Sequence, residues 1–321
     1  MTLHAGAKWV LDAIAAAEAD GRPPMEETTP EESRALYRDS RAALTPDAPD
    51  MAVVEDGVFS GDGGDVPIRY YRPHGSKPKD ALPVMVFYHG GGWVIGDLDT
   101  HDVVCRTLSN AGKFAVISVD YRMGPEHKFP AAVDDCFAAL RWVAGGAGGR
   151  AIDPHRIAVC GDSAGGNLAA VMAIMAREEN GPALAFQGLI YPATNLHCDT
   201  ESHVEFGEGH LLTAKSQVWF HDQYLRSAAD KDDWRVSPLK HPDLSNLPPA
   251  LVVTAGYDPL RDEGEAYADR LEEAGVPSEC SCYEGQIHGF VTMGKVIDEA
   301  ASALGEIAWA AQAAFEPLDE D

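Results

Sequence analysis

The sequence predicts an α/β domain built on a mostly parallel central sheet flanked by helices, with a smaller helical cap set beside it. Three observations carry this. Five short apolar runs rich in β-branched residues, PVMVFY, FAVISVDY, RIAVC, FQGLIY and ALVVTAG, recur along the chain with helix-compatible segments between most of them, the pattern of parallel strands buried on both faces. Ahead of them, VVEDGVFS, a Gly-Asp-Gly-Gly turn and VPIRYYRP read as an antiparallel hairpin. Finally, roughly sixty residues between Tyr191 and Ala250 contain no apolar strand run, and an interval that long carries function or structure of its own.

Taken in order, residues 7–20 place Trp9 or Val10, Ala13, Ile14 and Ala17 on one face at helical spacing, and a polar stretch containing prolines follows from Asp20 to Glu32. This predicts an N-terminal helical arm within residues 1–50. Helices are expected near 100–112, 131–145, 164–178, 261–274 and 295–315. In the long interval, Thr213 precedes Val218, Trp219, Phe220, Tyr224 and Leu225, so it is placed to cap an aromatic-faced helix. The expected organisation is therefore an arm over 1–50, a catalytic domain over 51–194 and 236–321, and an insertion over 195–235 that joins the arm in a cap.

Composition narrows the function classes. The chain has 321 residues, 45% of them hydrophobic, enough for a sizeable core. Its 51 acidic and 25 basic residues give a formal net charge of -26, which repels phosphate backbones and anionic lipid. Nucleic acid is not an expected partner. Lys8 and Asp12 interrupt the apolar stretch Trp9–Ala17, and no basic segment precedes it, so a cytoplasmic protein without an export leader is expected. No run is long enough for a membrane span. Six cysteines at irregular spacings point to free thiols, with no metal site and no cofactor. The oligomeric state stays open, a homodimer included.

The chemistry lies in four places. Gly161-Asp162-Ser163-Ala164-Gly165 has the G-x-S-x-G spacing, follows the strand RIAVC and enters the helix-compatible run NLAAVMAIMA. In a sharp strand-to-helix turn only small flanking residues fit, and the Ser163 hydroxyl is raised at a helix N-terminus, where partial positive charge favours an anion. His89-Gly90-Gly91-Gly92 follows the strand PVMVFY, where backbone amides of Gly90 and Gly91, with that of Ala164, are expected to form an oxyanion hole. His89 is expected to orient this loop, and Asp162 to position the nucleophile without moving a proton. Asp258 ends the run ALVVTAGY and is preferred as the acid over Asp262, which falls at a helix start where a carboxylate complements the dipole. Of 12 histidines, His288 stands beyond the last extended segment, SECSCYEG. The order Ser163, Asp258, His288 is that of the α/β-hydrolase fold.

Taken together, HGGGWVIGDLDTHD, DYRMGPEHKFPAAVDD, DPHRIAVCGDSAGGNLAA, GYDPLRDEG and IHGF resemble the bacterial hormone-sensitive-lipase-like esterases, family IV, in their GDSAGG variant. The resemblance spans residues 70–295. It implies a catalytic α/β-hydrolase domain, a cap made from the N-terminal helices and the insertion before the acid, and hydrolysis of short acyl esters as small-molecule substrates. Met123-Gly124 and Lys128 depart from the family pattern but lie outside the expected chemistry. Two other readings share the scaffold. An amidase or formamidase uses the same motifs, and only substrates separate it from an esterase. The plant gibberellin receptors resemble the same family but lack the histidine that His288 supplies here. A long-chain lipase fits less well, because the segment from Glu201 to Glu208 is acidic.

Overall fold

A computed structural model describes residues 2–316. The chain begins with α1 (Ala5–Ala19) and α2 (Pro30–Leu44), and then forms the hairpin of β1 (Met51–Gly61) and β2 (Gly64–Pro73). The alternating part follows: β3 (Leu82–Tyr88), α3 (Asp102–Gly112), β4 (Ala115–Val119), α4 (Ala131–Ala144), β5 (Ile152–Asp162), α5 (Ala164–Glu178) and β6 (Leu184–Ile190). Two short helices, α6 (Glu201–Glu205) and α7 (Ala214–Tyr224), occupy the long interval before β7 (Ala250–Tyr257), α8 (Arg261–Glu273), β8 (Ser278–Ile287) and α9 (Glu299–Phe315).

The eight strands form one sheet in the order β1-β2-β4-β3-β5-β6-β7-β8. The first two junctions are antiparallel, and every junction from β4 to β8 is parallel. This is an α/β-hydrolase architecture. Strand side chains alternate between faces, so Val84, Val86 and Tyr88 pack toward α4 and α5, while Met85 and Phe87 pack toward α3 and α9. Both faces of β3 are buried, which explains why its sequence is a continuous apolar run.

The predicted helices are present, with two boundaries moved inward: α3 starts at Asp102 and α9 at Glu299, where Asp298 caps the first amide. The side-chain assignment of the first helix is corrected in part. Ala7 and Val10 are buried against the α9 side of the core, whereas Trp9 is 55% exposed and Ala13 also faces out. The backbone of α1 is pinned by the His4 amide on the Gly285 carbonyl, at the end of β8. Thr213 does cap α7, through a reciprocal pair with Ser216, and that helix turns Phe220 and Tyr224 inward while Val218 stays exposed. All six cysteines are free thiols.

Candidate active site

Parallel strands bring their C-terminal ends to one edge of the sheet, and side chains that follow them directly gather there. Ser163 follows β5, Asp258 follows β7 and His288 follows β8. Ser163 has φ 57 and ψ −117, a strained conformation for a residue with a side chain. Its neighbours make the turn possible by being small. A Cβ on Gly161 would collide with the Gly165 backbone, and one on Gly165 with the Tyr88 carbonyl. The Ser163 amide is tied to the Ile190 carbonyl at 2.8 Å.

His288 stands between the other two. Its Nδ1 lies 2.7 Å from Asp258 Oδ2 and its Nε2 2.8 Å from Ser163 Oγ. A carboxylate can only accept, so Nδ1 carries the proton and Nε2 is left to accept from the hydroxyl. Asp258 is fully buried, and its second oxygen accepts the Leu260 amide at 2.9 Å. The tilted Tyr191 ring lies 4.7 Å from the imidazole between centroids. Asp262, the competing carboxylate, is engaged elsewhere: it accepts the Ser202 amide at 2.8 Å and pairs with Arg261.

The glycine loop corrects one expectation. The Gly90 amide donates to Asp162 Oδ1 at 2.8 Å, so it is already spent and cannot serve an oxyanion. The amides of Gly91, Gly92 and Ala164 make no hydrogen bond to protein among the described residues. Gly91 and Gly92 have φ 122 and 59, the region where glycine is favoured and successive amides can face one concavity. Gly92 also lies under the Phe220 ring of α7, which a Cβ would strike. Gly92, which the sequence did not single out as a donor, therefore stands beside Gly91 with its amide free of protein partners among the described residues.

Buried polar groups support this loop. Asp162 lies 3.2 Å from His101 Nε2. Burial works to raise its carboxyl, but His101, the Gly90 amide and His89 outweigh burial and hold it below the usual carboxylate range. His89 is fully buried, stacks on Tyr121 and has Nδ1 2.8 Å from the Gly90 carbonyl. Burial first, then neighbouring His101, pushes it down to about 4, so it is neutral at ordinary pH. His101 lies in the block HGGGWVIGDLDTHD, yet no local signal gave it a role. No group of three or more His, Cys, Asp or Glu side chains comes together as a metal site among the described residues. No described helix is long and apolar enough to cross a membrane.

Known proteins share both the fold and much of the sequence. A family model described as the alpha/beta hydrolase fold matches residues 85–292. The carboxylic ester hydrolase LipN of Mycobacterium tuberculosis is 46% identical over 264 residues, 79% of this chain and 68% of that protein. An ethyl acetate hydrolase of Pseudomonas putida is 38% identical over 307 residues, 95% of this chain and 96% of that protein. Among solved structures, an ester hydrolase from the metagenome of Lake Arreo superposes with a TM-score of 0.94 at 42% identity, covering 97% of this chain and 99% of that one. An esterase of the archaeon Pyrobaculum calidifontis does so with 0.91 at 42% identity, covering 98% and 99%.

Proposed function

Because this chain belongs to the α/β-hydrolase family, in its hormone-sensitive-lipase-like branch, we propose that it is a serine carboxylesterase acting on short- to medium-chain acyl esters. The observation that carries this reading is the imidazole of His288 bonded at once to Asp258 and to Ser163. The names of the relatives, a carboxylic ester hydrolase and an ethyl acetate hydrolase, support ester hydrolysis with small acyl groups.

In this mechanism Ser163 Oγ attacks the ester carbonyl while His288 Nε2 takes its proton and returns it to the leaving alcohol. Asp258 holds the tautomer and stabilises the imidazolium. The amides of Gly91, Gly92 and Ala164 receive the oxyanion, each worth about 3 kcal/mol of transition-state stabilisation. Water then attacks the acyl-enzyme by the same proton path. We take the cap to be the N-terminal arm over 1–50 together with the insertion over 195–235, in which Phe220 of α7 lies against Gly92. We also place the protein in the cytoplasm, where six unpaired cysteines stay reduced.

An acyl-length series of nitrophenyl esters tests the reading. Turnover is expected from acetyl to octanoyl and to fall steeply beyond, with the matching anilides much slower. No ester turnover by the folded protein, or faster turnover of the anilides, would overturn it.

A further inference from the structure

We propose that Arg34, on the N-terminal arm, is a positioning residue that holds the oxyanion-binding turn in shape. This inference rests on the serine esterase reading above, and it assigns to the arm a part in the chemical step as well as in covering the site.

The turn needs holding. Gly91, Gly92 and Trp93 have φ 122, 59 and 59 in succession, and for Trp93 this is a costly conformation that persists only where the surroundings over-determine it. Within the loop, the Val94 and Ile95 amides both donate to the Gly91 carbonyl, at 3.0 and 2.9 Å. From outside, the Gly124 amide donates to the Trp93 carbonyl at 2.9 Å, and the Trp93 ring stacks on Tyr224 of α7 with centroids 4.5 Å apart.

Arg34 closes this arrangement into a circuit. Its Nε donates to the Val94 carbonyl and its Nη2 to the Gly124 carbonyl, both at 2.8 Å. Glu126 orients the guanidinium by accepting from Nη1 at 2.8 Å and from Nη2 at 2.7 Å. The path Trp93, Gly124, Arg34, Val94 therefore returns to the loop it started from. One planar group spans two segments, the glycine loop and the chain after β4, and fixes the separation between them. Lysine carries its three donors on a single nitrogen and has no planar fork, so it cannot make this set of bonds.

The helix that delivers Arg34 is built to stay in place. Thr29 and Glu32 form a reciprocal capping box and Pro30 opens the first turn. Its residues 34, 38 and 41 recur at spacings of four and three, which puts them along one face. Arg38 pairs with Asp97 of the glycine loop and Arg41 donates to Thr292, beyond His288. Arg34 is the member of this row that reaches the backbone next to the oxyanion amides.

A positioning role and simple anchoring of α2 predict different kinetics. An oxyanion turn that drifts loses stabilisation of the transition state while substrate still binds. For Arg34→Ala, kcat should fall about 10–100-fold with KM changed less than about threefold. The rate of Ser163 labelling by a fluorophosphonate should fall in proportion. Arg34→Lys keeps the charge and the stem, and should recover little of kcat; it also gives a folded variant if the alanine protein does not fold. Lys8→Ala, which cuts an exposed pair with Asp12, serves as control. Wild-type turnover that is lost in Ser163→Ala must be seen first, because its absence sinks the esterase reading itself. Given that turnover, a kcat unchanged in Arg34→Lys, or a loss falling wholly on KM, overturns the positioning role and leaves the esterase intact.

Discussion

Asp162 Oδ1 accepts the Gly90 amide at 2.8 Å, so the residue before the proposed nucleophile holds the first glycine of the loop that faces it. Asp162→Ala should therefore lower kcat about 10–100-fold with KM little changed. Asp162→Asn keeps an acceptor oxygen and should lose less. Steady-state kinetics on nitrophenyl acetate check the order, and an asparagine variant as impaired as the alanine one would mean that the charge opposite His101 matters more than the bond to Gly90.

The proposed triad predicts a steep hierarchy. Ser163→Ala and His288→Ala should each cost about 10⁶ in kcat because such groups act as a unit. Asp258→Asn should cost about 10⁴ by leaving the wrong tautomer. Asp262→Asn should stay within a few-fold of wild type, since Asp262 bonds Ser202 and Arg261 and not the imidazole. Circular dichroism of each variant ensures that folded proteins are compared.

A pH effect on stability follows from Asp120, which accepts no hydrogen bond among the described residues. Burial, then neighbouring Asp97, pushes its carboxyl up to about 6; Arg38 and Arg69 oppose this weakly, and Asp99 adds to it. In the unfolded chain it titrates near 3.9. Below about pH 4 it is protonated in both states and costs nothing, whereas above about pH 6 the folded state carries a poorly solvated charge. Stability from this group is thus lost as pH rises between the two. After a discount for partial exposure, Asp120→Asn should gain roughly 1–2 kcal/mol at pH 7.5 and nothing at pH 4. Melting temperatures at the two pH values measure it.

Removal of residues 1–20 should act through the histidine loop. The deletion cuts the His4–Gly285 backbone bond and uncovers part of the core cluster to which Ala7 and Val10 belong together with Ile287 and Phe290, the apolar residues flanking His288 in the chain. Loss of that burial amounts to roughly 3 kcal/mol and should lower Tm by several degrees. Turnover should fall with it. An unchanged Tm and unchanged kinetics would show that α1 does not support the site.

Much of the site was legible because its residues are fixed by short-range patterns. Ser163 and Asp258 each follow an apolar run and His288 follows a more polar extended segment, and parallel strands necessarily collect their C-terminal ends at one edge. The glycines beside Ser163 reveal themselves for the same reason, since a tight turn excludes any Cβ. Trp9 shows the limit of periodicity: either it or Val10 could face the core by spacing, and packing against α9 chose Val10. Partner choice across long separations was not legible at all. The glycine motif predicts an oxyanion donor at Gly90, whereas in the fold its amide goes to Asp162, 72 residues away. Arg34 belongs to no sequence motif, and only the fold brings its fork to the Val94 carbonyl, 60 residues away. A strand or turn declares itself through its own residues, whereas a single donor or acceptor carries no trace of which distant group the folded chain will bring within 3 Å.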